Sequence, residues 1–361
     1  MRGSLKTLAH QDLTDLVEGA AIFSGGGGGD SLVGLNIVEK LVEKRCPVRL
    51  IDPVEASNDE IVVNFACVGA TMNVAYHGDA ATKTLRALEE LLGKKAFAVI
   101  PLELGGFSTL TAVDVAARCD VPVVDADGAG RAVSELHIQV YALNNAASAP
   151  MVVADTNAEN IQCFKEKIDS RSAEQVSRAL ASKRGQSVYV ARPVLTGKRV
   201  RTSSVLNTLS ASIRMGMLLR KAVDPVRAIL TETNGSALFE GAVSNLERET
   251  RGGFTWTTLT LEGLRDSTGA MLQLKARNEL LAAFKNGKLV AAAPDIITAV
   301  SSETGKSVPA EKITEDSRLT ILAIPAPKQW RSRRGLELWR EVMQRSGIRE
   351  DYVPIEKWVE E

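Results

Sequence analysis

Histidine and cysteine are scarce in this sequence, and neither occurs in a pattern typical of a catalytic or metal site. Among 361 residues there are only three histidines and four cysteines: His10, His77, His137, Cys46, Cys67, Cys119 and Cys163. No C-x-x-C, H-x-x-x-H or G-x-S-x-G is present, so the common zinc, thiol and serine-triad chemistries have no support. Chemistry must therefore depend on carboxylates, amides, hydroxyls and arginine. The unpatterned cysteines are expected to be small buried side chains in a reducing compartment.

A charge excess and long apolar runs are also absent. The 44 Lys and Arg residues are balanced by 44 Asp and Glu residues, whereas a protein that binds phosphate backbones usually carries a basic excess. No run approaches the roughly 18 apolar residues of a membrane span. Asp12, Asp15 and Glu18 interrupt what would be the apolar region of a signal peptide. We therefore predict a cytoplasmic protein that binds neither nucleic acid nor membrane.

Helical patterns flank a run of glycines near the N-terminus. Residues 11–23 carry apolar side chains at helical spacing, and Gly25 to Gly29 must end that helix because glycine disfavours helical conformation. Asp30 stands where a helix N-cap is expected, ahead of a second helical pattern. The sequence therefore predicts two helices joined by the glycine run.

Strand-like and helical patterns alternate through the first two thirds of the chain. Residues 97–100 and 121–124 are short apolar runs on either side of an amphipathic pattern at 108–119, which predicts a β-α-β unit with parallel strands. A longer helix is predicted over 204–221. With 45% hydrophobic residues the chain can bury substantial cores. We therefore predict an N-terminal three-layer α/β domain, with a mainly parallel or mixed sheet, over residues 1–228.

Short strands separated by glycine turns characterise the last third. Asn286-Gly287 is a strong signal for a type I′ hairpin turn, and no helical pattern interrupts residues 237–324. This pattern predicts an antiparallel β-barrel-like domain over residues 229–330. The charged segment that follows, residues 331–344, is expected to form a closing helix, and residues 331–361 are expected to pack back on the α/β domain.

Polar loops follow the two strands of the predicted β-α-β unit. The candidate residues in these loops are Glu103, Gly105, Gly106, Asp125, Asp127, Arg131 and Glu135. Ligands of parallel α/β sheets bind beyond the carboxyl ends of the strands, and carboxylates brought together there suit a metal ion or a general base. The alternative is that Asp and Gly form turns and helix caps, and that Arg131 makes an ordinary ion pair with Asp127 or Glu135.

The glycine run and an Asn-Glu pair are further candidates. Backbone amides of Gly26, Gly27 and Gly28 could bind an anion at the start of the following helix, or the glycines could serve close backbone packing. The run follows a helix and lacks the lysine of a phosphate-binding loop, so no nucleotide is expected. Asn278-Glu279 could cap a turn or reach across to the cleft.

Several motifs together resemble one protein family. They are residues 19–30, 101–106, 123–132, Glu135-Leu136, 239–241, 252–254, 278–280, 294–296 and 325–327. In their types and order they resemble the S-methyl thiohydantoin desulfurase family, which is discussed beside hydantoinase and oxoprolinase proteins. The resemblance extends over nearly the whole chain. It departs from the family pattern at Phe107-Ser108, Ala129 and Val133-Ser134, beside the proposed site.

The resemblance implies an α/β domain with a β-barrel-like domain and hydrolysis of a five-membered cyclic ureide or its sulfur analogue. Our hypothesis is a hydrolase of a thiohydantoin, S-methyl thiohydantoin or hydantoin-like ring. Water attack on the ring carbon needs a base and a group that stabilises the tetrahedral intermediate. Glu103, Asp125 and Asp127 are candidates for the base or for metal ligands, and Arg131 for a ligand or oxyanion contact. The expected substrate-binding residues are Gly26, Gly27, Gly28, Gly105, Gly106, Glu135 and Asn278.

Cofactor and partners are left open by the sequence. A divalent metal is possible, and metal-assisted and metal-free routes are both compatible with the motifs. The expected ligand is a small cyclic ureide or its sulfur analogue, and a homo-oligomer is possible. The alternative function is a non-catalytic binding or partner subunit of a hydantoinase or oxoprolinase type system, which would have the same pocket without a competent base.

Overall fold

The computed structural model describes residues 6–69, 76–144, 150–166, 168–184 and 187–358. The helices are α1 (His10–Phe23), α2 (Ser31–Glu43), α3 (Gly78–Leu92), α4 (Ser108–Arg118), α5 (Val140–Leu143), α6 (Ser170–Arg184), α7 (Gly197–Ser203), α8 (Thr208–Lys221), α9 (Pro225–Thr233) and α10 (Arg333–Arg345). The strands are β1 (Lys6–Thr7), β2 (Arg49–Ile51), β3 (Ile61–Val68), β4 (Ala98–Pro101), β5 (Val123–Val124), β6 (Ala126–Asp127), β7 (Met151–Asp155), β8 (Ile161–Phe164), β9 (Val188–Thr196), β10 (Val205–Leu206), β11 (Ser236–Arg251), β12 (Phe254–Gly263), β13 (Met271–Arg277), β14 (Glu279–Lys285), β15 (Lys288–Ala292), β16 (Ile296–Ser301) and β17 (Arg318–Ile324).

The first sheet is mixed, with the order β1-β2-β5-β4-β3-β9-β7-β8. Strands β2, β5, β4 and β3 are parallel to one another, whereas β9, β7 and β8 join by antiparallel pairing. Because α4 connects the parallel neighbours β4 and β5, the predicted β-α-β unit is confirmed. The loops that follow β4 and β5 therefore lie at the same edge of the sheet.

Helices cover both faces of this sheet. Successive side chains of a strand point to opposite faces, and Val62 and Val63 of β3 accordingly belong to two different apolar clusters. The cluster around Val63 includes side chains of α1 to α4, and the cluster around Val62 includes side chains of α6, α7 and α10. The N-terminal α/β domain with a mixed sheet is thus confirmed.

The second sheet is antiparallel, with the order β15-β14-β13-β12-β11-β17-β16. Its two ends approach each other, because β14 and β15 contact β16, so the sheet curls into a half-barrel around its own apolar cluster. Asn286 and Gly287, with φ of 50° and 80°, form the turn between β14 and β15, as predicted. The barrel-like expectation is therefore confirmed as a curled half-barrel.

Two parts of the chain differ from the sequence-based expectation. The helix predicted over 204–221 begins only at Thr208, because Asn207 takes a left-handed conformation (φ 61°) after the short strand β10. Helix α9 was not predicted. It begins where the Asp224 side chain accepts a hydrogen bond from the Arg227 amide and Pro225 occupies the first turn, so Asp-Pro is a helix start here.

The segment after the second sheet contacts the first domain. Trp330 Nε1 donates to the carbonyl of Ala129 (2.7 Å), and the rings of Trp330 and Trp339 meet edge-on. Trp339 lies in the apolar cluster that includes Ile100 of the first sheet and Ala282 of the second. The domain limits 1–228 and 229–330 stay predictions. None of the described helices combines the length and apolar character needed to cross a bilayer.

Candidate functional site

A small cavity lies where loops of the first sheet meet a corner of the second. Its volume, counted as the space open to the centre of a water-sized sphere, is about 60 Å³. The carboxyl end of β3 contributes Cys67, the loop after β4 contributes Glu103, and the corner between β13 and β14 contributes Asn278 and Glu279. Because both domains supply wall residues, the cavity exists only in the assembled two-domain chain.

Glu103 is the carboxyl of the first domain in this cavity. Its Oε2 accepts a hydrogen bond from the Val133 amide (2.7 Å). The pKa of Glu103 is raised to about 8, chiefly by burial and also by the negative charges of Glu279 and Asp127, while the Val133 hydrogen bond opposes the rise. A carboxyl with this pKa carries a proton near neutral pH and is able both to donate and to accept it.

Glu279 is the carboxyl of the second domain. It is fully buried at the start of β14, and its Oε1 accepts a hydrogen bond from the Ser134 amide (3.0 Å). Burial raises its pKa, but the positive charges of Arg131 and Arg277 oppose the rise. These charges favour ionised Glu279, whereas the surrounding carboxylates favour protonated Glu103. Burial raises the pKa of both carboxyls, but the arginine charges oppose the rise at Glu279, and such unequal surroundings are compatible with an acid and a base.

Asp125 and Asp127 do not join this pair in the cavity wall. Asp125 Oδ1 accepts hydrogen bonds from the amides of Leu209 (3.0 Å) and Ser210 (2.9 Å), so it caps the first turn of α8. Asp127 is fully buried and accepts hydrogen bonds from the amides of Ala129 and Gly130 in its own turn, with a pKa raised by burial to about 7. Asp125 thus caps a helix and Asp127 stabilises a turn, which are the structural roles that the sequence left open as the alternative to a metal or general-base site.

The described residues do not assemble the expected metal ligands. In the ranges that the structure describes, no group of three or more His, Cys, Asp and Glu side chains is placed to hold a metal ion. Glu103, Asp125 and Asp127 follow neighbouring strands, yet the oxygen atoms of both aspartates are directed to backbone amides of turns and helix starts. A common metal site made by these three carboxylates is therefore not what the structure supports.

Arg131 and Glu135 lie in buried ionic networks behind the wall. Arg131 Nη1 donates to the carbonyls of Pro294 (2.7 Å) and Asp295 (3.0 Å), and its guanidinium stacks on Trp339. Burial lowers the pKa of Arg131 to about 10, and the charge of Glu279 opposes that change. Glu135 pairs with Arg277 rather than with Arg131. Arg131 can therefore act on the cavity through its charge, but it does not line it.

The glycine loop is packed closely against the site. A Cβ atom on Gly28 would lie 2.5 Å from Cα of Gly105, and one on Gly27 would lie 2.8 Å from Cβ of Glu279. A Cβ on Gly106 would lie 2.4 Å from the hydroxyl of Ser31. Close packing, one of the two alternatives, is thus present at these positions.

The loop and Asn278 also border the cavity. Of the predicted glycines, Gly28 lies in its wall, and Gly26, which has a φ of 78°, packs on Leu280 outside it. Asn278 caps its turn, because its Oδ1 accepts a hydrogen bond from the Thr255 amide (2.8 Å), and it lines the cavity as well. Substrate binding by these residues stays a prediction.

Two further wall residues were not among the predicted site residues. Cys67 lies at the end of β3 beside Ser187, and burial raises its thiol pKa to about 12, so it remains a neutral thiol. Arg178 reaches the cavity from α6. The position of Cys67 at the end of a parallel strand was an available signal, whereas the contacts of Arg178 are long-range and leave no local pattern.

Comparisons with known proteins identify the family of this chain. A family model described as the S-Me-THD-like N-terminal domain matches residues 11–164, and one described as the S-Me-THD-like C-terminal domain matches residues 168–354. A crystal structure of a protein from Chromobacterium violaceum is similar, with a TM-score of 0.78 and 23% identity, covering 97% of this chain and 100% of that chain; at this identity the likeness shows the fold alone. No curated protein matches the chain. Because the two models together cover nearly all of it, the chain belongs to the S-Me-THD-like family, as the motifs predicted.

Proposed function

We propose that this protein is a hydrolase of a five-membered thiohydantoin-like ring, with S-methyl thiohydantoin as the reference substrate. Family membership supports the substrate class. The observation that carries the mechanism is the carboxyl pair Glu103 and Glu279, which comes from two domains, lines one cavity and has unequal surroundings. Such a pair supplies an acid and a base without histidine or cysteine.

The first step of the proposed reaction is addition of water to the ring carbon that bears the S-methyl group. Glu279 in its ionised form accepts a proton from the attacking water. Glu103 donates its proton to the ring nitrogen as the carbon becomes tetrahedral. During this step the negative charge moves from Glu279 to Glu103. The positive charge of Arg131 acts on both carboxyls and therefore stabilises the carboxylate in either position.

The second step expels the sulfur. The hydroxyl of the tetrahedral intermediate returns a proton to Glu103, the carbon–oxygen double bond forms and the carbon–sulfur bond breaks. The leaving methanethiolate takes the proton held by Glu279 and departs as methanethiol. The products are hydantoin and methanethiol, and each carboxyl ends in the protonation state in which it began.

Glu103→Gln tests this proposal, with Glu311→Gln as a matched control. Glutamine keeps the size of the side chain but transfers no proton, so we expect kcat to fall by about 10²- to 10⁴-fold. Glu311 is also a buried glutamate whose pKa burial raises, to about 7, but it lies outside the cavity wall. The Glu311→Gln variant should therefore keep the wild-type rate.

The assay follows methanethiol with a thiol reagent and hydantoin by mass spectrometry, using S-methyl thiohydantoin, 2-thiohydantoin and hydantoin as substrates. Oxygen from labelled water should appear in the hydantoin. The hydrolase proposal fails if the wild-type protein converts none of these rings. Tight binding of a ring without conversion would instead favour the non-catalytic binding subunit.

A further inference from the structure

Backbone amides of one short segment, residues 133–136, donate hydrogen bonds to both carboxyls of the site. The Val133 amide donates to Glu103 (2.7 Å), and the next amide, that of Ser134, donates to Glu279 (3.0 Å). The relative position of the two carboxyls is therefore set by two consecutive peptide groups. Whatever fixes this segment also fixes the acid and the base.

Arg178 of α6 is hydrogen-bonded to segment 133–136, both directly and through Glu174. Its Nη2 donates to the carbonyl of Ser134 (2.9 Å), and its Nη1 donates to the carbonyl of Gly253 (2.7 Å) in the turn between β11 and β12. Its Nε donates to Glu174 (2.9 Å), whose other oxygen accepts the Leu136 amide (2.7 Å). A planar guanidinium thus joins the segment of the first domain to a turn of the second.

The turn between β11 and β12 is shaped to receive this side chain. The Arg178 guanidinium lies 4.1 Å from the ring centroid of Phe254, a cation–π distance. A Cβ atom on Gly253 would lie 2.5 Å from Cδ of Arg178, whereas one on the preceding Gly252 would have nothing within 4 Å. Both glycines have positive φ, 59° and 77°. An alanine at either position would therefore be strained in its backbone, but only the one at residue 253 would also press on Arg178 and, at 3.1 Å, on the Ser182 hydroxyl.

We propose that Arg178 is a positioning residue that ties the β11–β12 turn of the second domain to segment 133–136 and so holds Glu103 and Glu279 in register for the reaction. Its guanidinium donates to backbone carbonyls and to Glu174, so it acts through the segment and not as the acid or the base. The catalytic consequence rests on the proposed function, but the positioning itself does not.

The experiment compares four variants of the full chain with the wild type. Arg178→Gln removes the guanidinium, and Gly253→Ala displaces it without removing it. Gly252→Ala controls for strain in the same turn, and Arg171→Gln controls for loss of an exposed arginine on the same helix, where Arg171 pairs with Glu341. The readouts are kcat and KM on S-methyl thiohydantoin and the titration of the Glu103 carboxyl. That carboxyl is followed by carbon-13 NMR and identified by its absence in Glu103→Gln.

We expect Arg178→Gln and Gly253→Ala to raise the Glu103 titration midpoint by about one pH unit, because a lost amide hydrogen bond disfavours the carboxylate. In both variants kcat should fall by about tenfold or more with little change in KM. The two control variants should behave as the wild type. The proposal is overturned if neither variant moves the midpoint, or if Gly252→Ala moves it as much as Gly253→Ala.

The design separates this inference from the proposed function. If the wild-type protein converts no ring, the proposed hydrolase function fails, and the carboxyl titration still decides whether Arg178 positions the pair. If Arg178→Gln does not fold, the two alanine variants of the turn carry the comparison, because only the Cβ at residue 253 would crowd Arg178, its nearest neighbour there, with the Ser182 hydroxyl further away at 3.1 Å.

Discussion

Glu103→Gln should change how the stability of the protein depends on pH. Burial raises the pKa of Glu103 from 4.5 to about 8. Between these values the folded protein keeps a proton that the unfolded chain releases, so the free energy of unfolding falls as the pH rises. Integration from pH 5 to pH 8 gives a loss of about 3.5 kcal/mol from this single group. Glutamine does not titrate, so the variant should not show this loss.

The assay is urea denaturation of the wild type and the variant at several pH values over this range, followed by fluorescence of the buried Trp330 and Trp339. Glu311, whose pKa burial raises in the same direction, is present in both proteins and cancels in the difference. Glu43→Gln, at an exposed position, is the control and should show the wild-type pH dependence.

The difference in unfolding free energy between Glu103→Gln and the wild type should therefore shift by about 3.5 kcal/mol in favour of the variant as the pH rises. A difference that stays constant within about 1 kcal/mol would refute the reasoning. It would mean that Glu103 is ionised in the folded protein at neutral pH. The same result would remove the proton donor from the proposed reaction.

Three further predictions concern the surroundings of the site. Gly28→Ala should destabilise the protein by about 2 to 4 kcal/mol in urea denaturation, because residue 28 has a φ of 68° and its Cβ would lie 2.5 Å from Cα of Gly105. Asp125→Ala should cost about 1 kcal/mol in thermal unfolding through loss of the α8 cap and leave kcat on S-methyl thiohydantoin unchanged, since Asp125 lies outside the cavity wall. Asp295→Ala should cost about 3 to 5 kcal/mol in urea denaturation, because the buried Asp295 carboxylate pairs with Arg331 and accepts the amides of Ala326 and Ile355.

The carboxyl pair shows how a chain with no net charge can concentrate ionisable groups at one place. The charges balance over the whole sequence, 44 against 44. At the cavity, however, Glu103 and Glu279 are brought together from two domains, and the nearby arginines Arg131 and Arg277 favour ionisation of Glu279. The reactivity that we propose for the site depends on this local imbalance of charge, which burial makes large.

Features with a local cause were predictable from the sequence. The β-α-β unit follows from the spacing of apolar residues, and the Asp30 cap follows from side-chain chemistry at a helix start. The Asn286-Gly287 turn follows from the left-handed conformations that these residues tolerate. Of the predicted site residues, Glu103, Gly28 and Asn278 line the cavity, because loops after parallel strands and glycine-rich turns carry local signals.

Features that depend on distant contacts were decided only by the tertiary structure. Asp125 caps a helix whose first amides lie 84 and 85 residues further along the chain, so its sequence neighbours could not distinguish a cap from a catalytic base. Glu279 meets Ser134 across 145 residues, and Arg178 meets Ser134 across 44. The sequence by itself determined many of the helices and strands, the family and the position of Glu103 after a parallel strand. Which second carboxyl lies beside Glu103, and which arginine contacts the segment that binds both, depended on domain packing, because burial and long-range hydrogen bonds arise only in the folded chain.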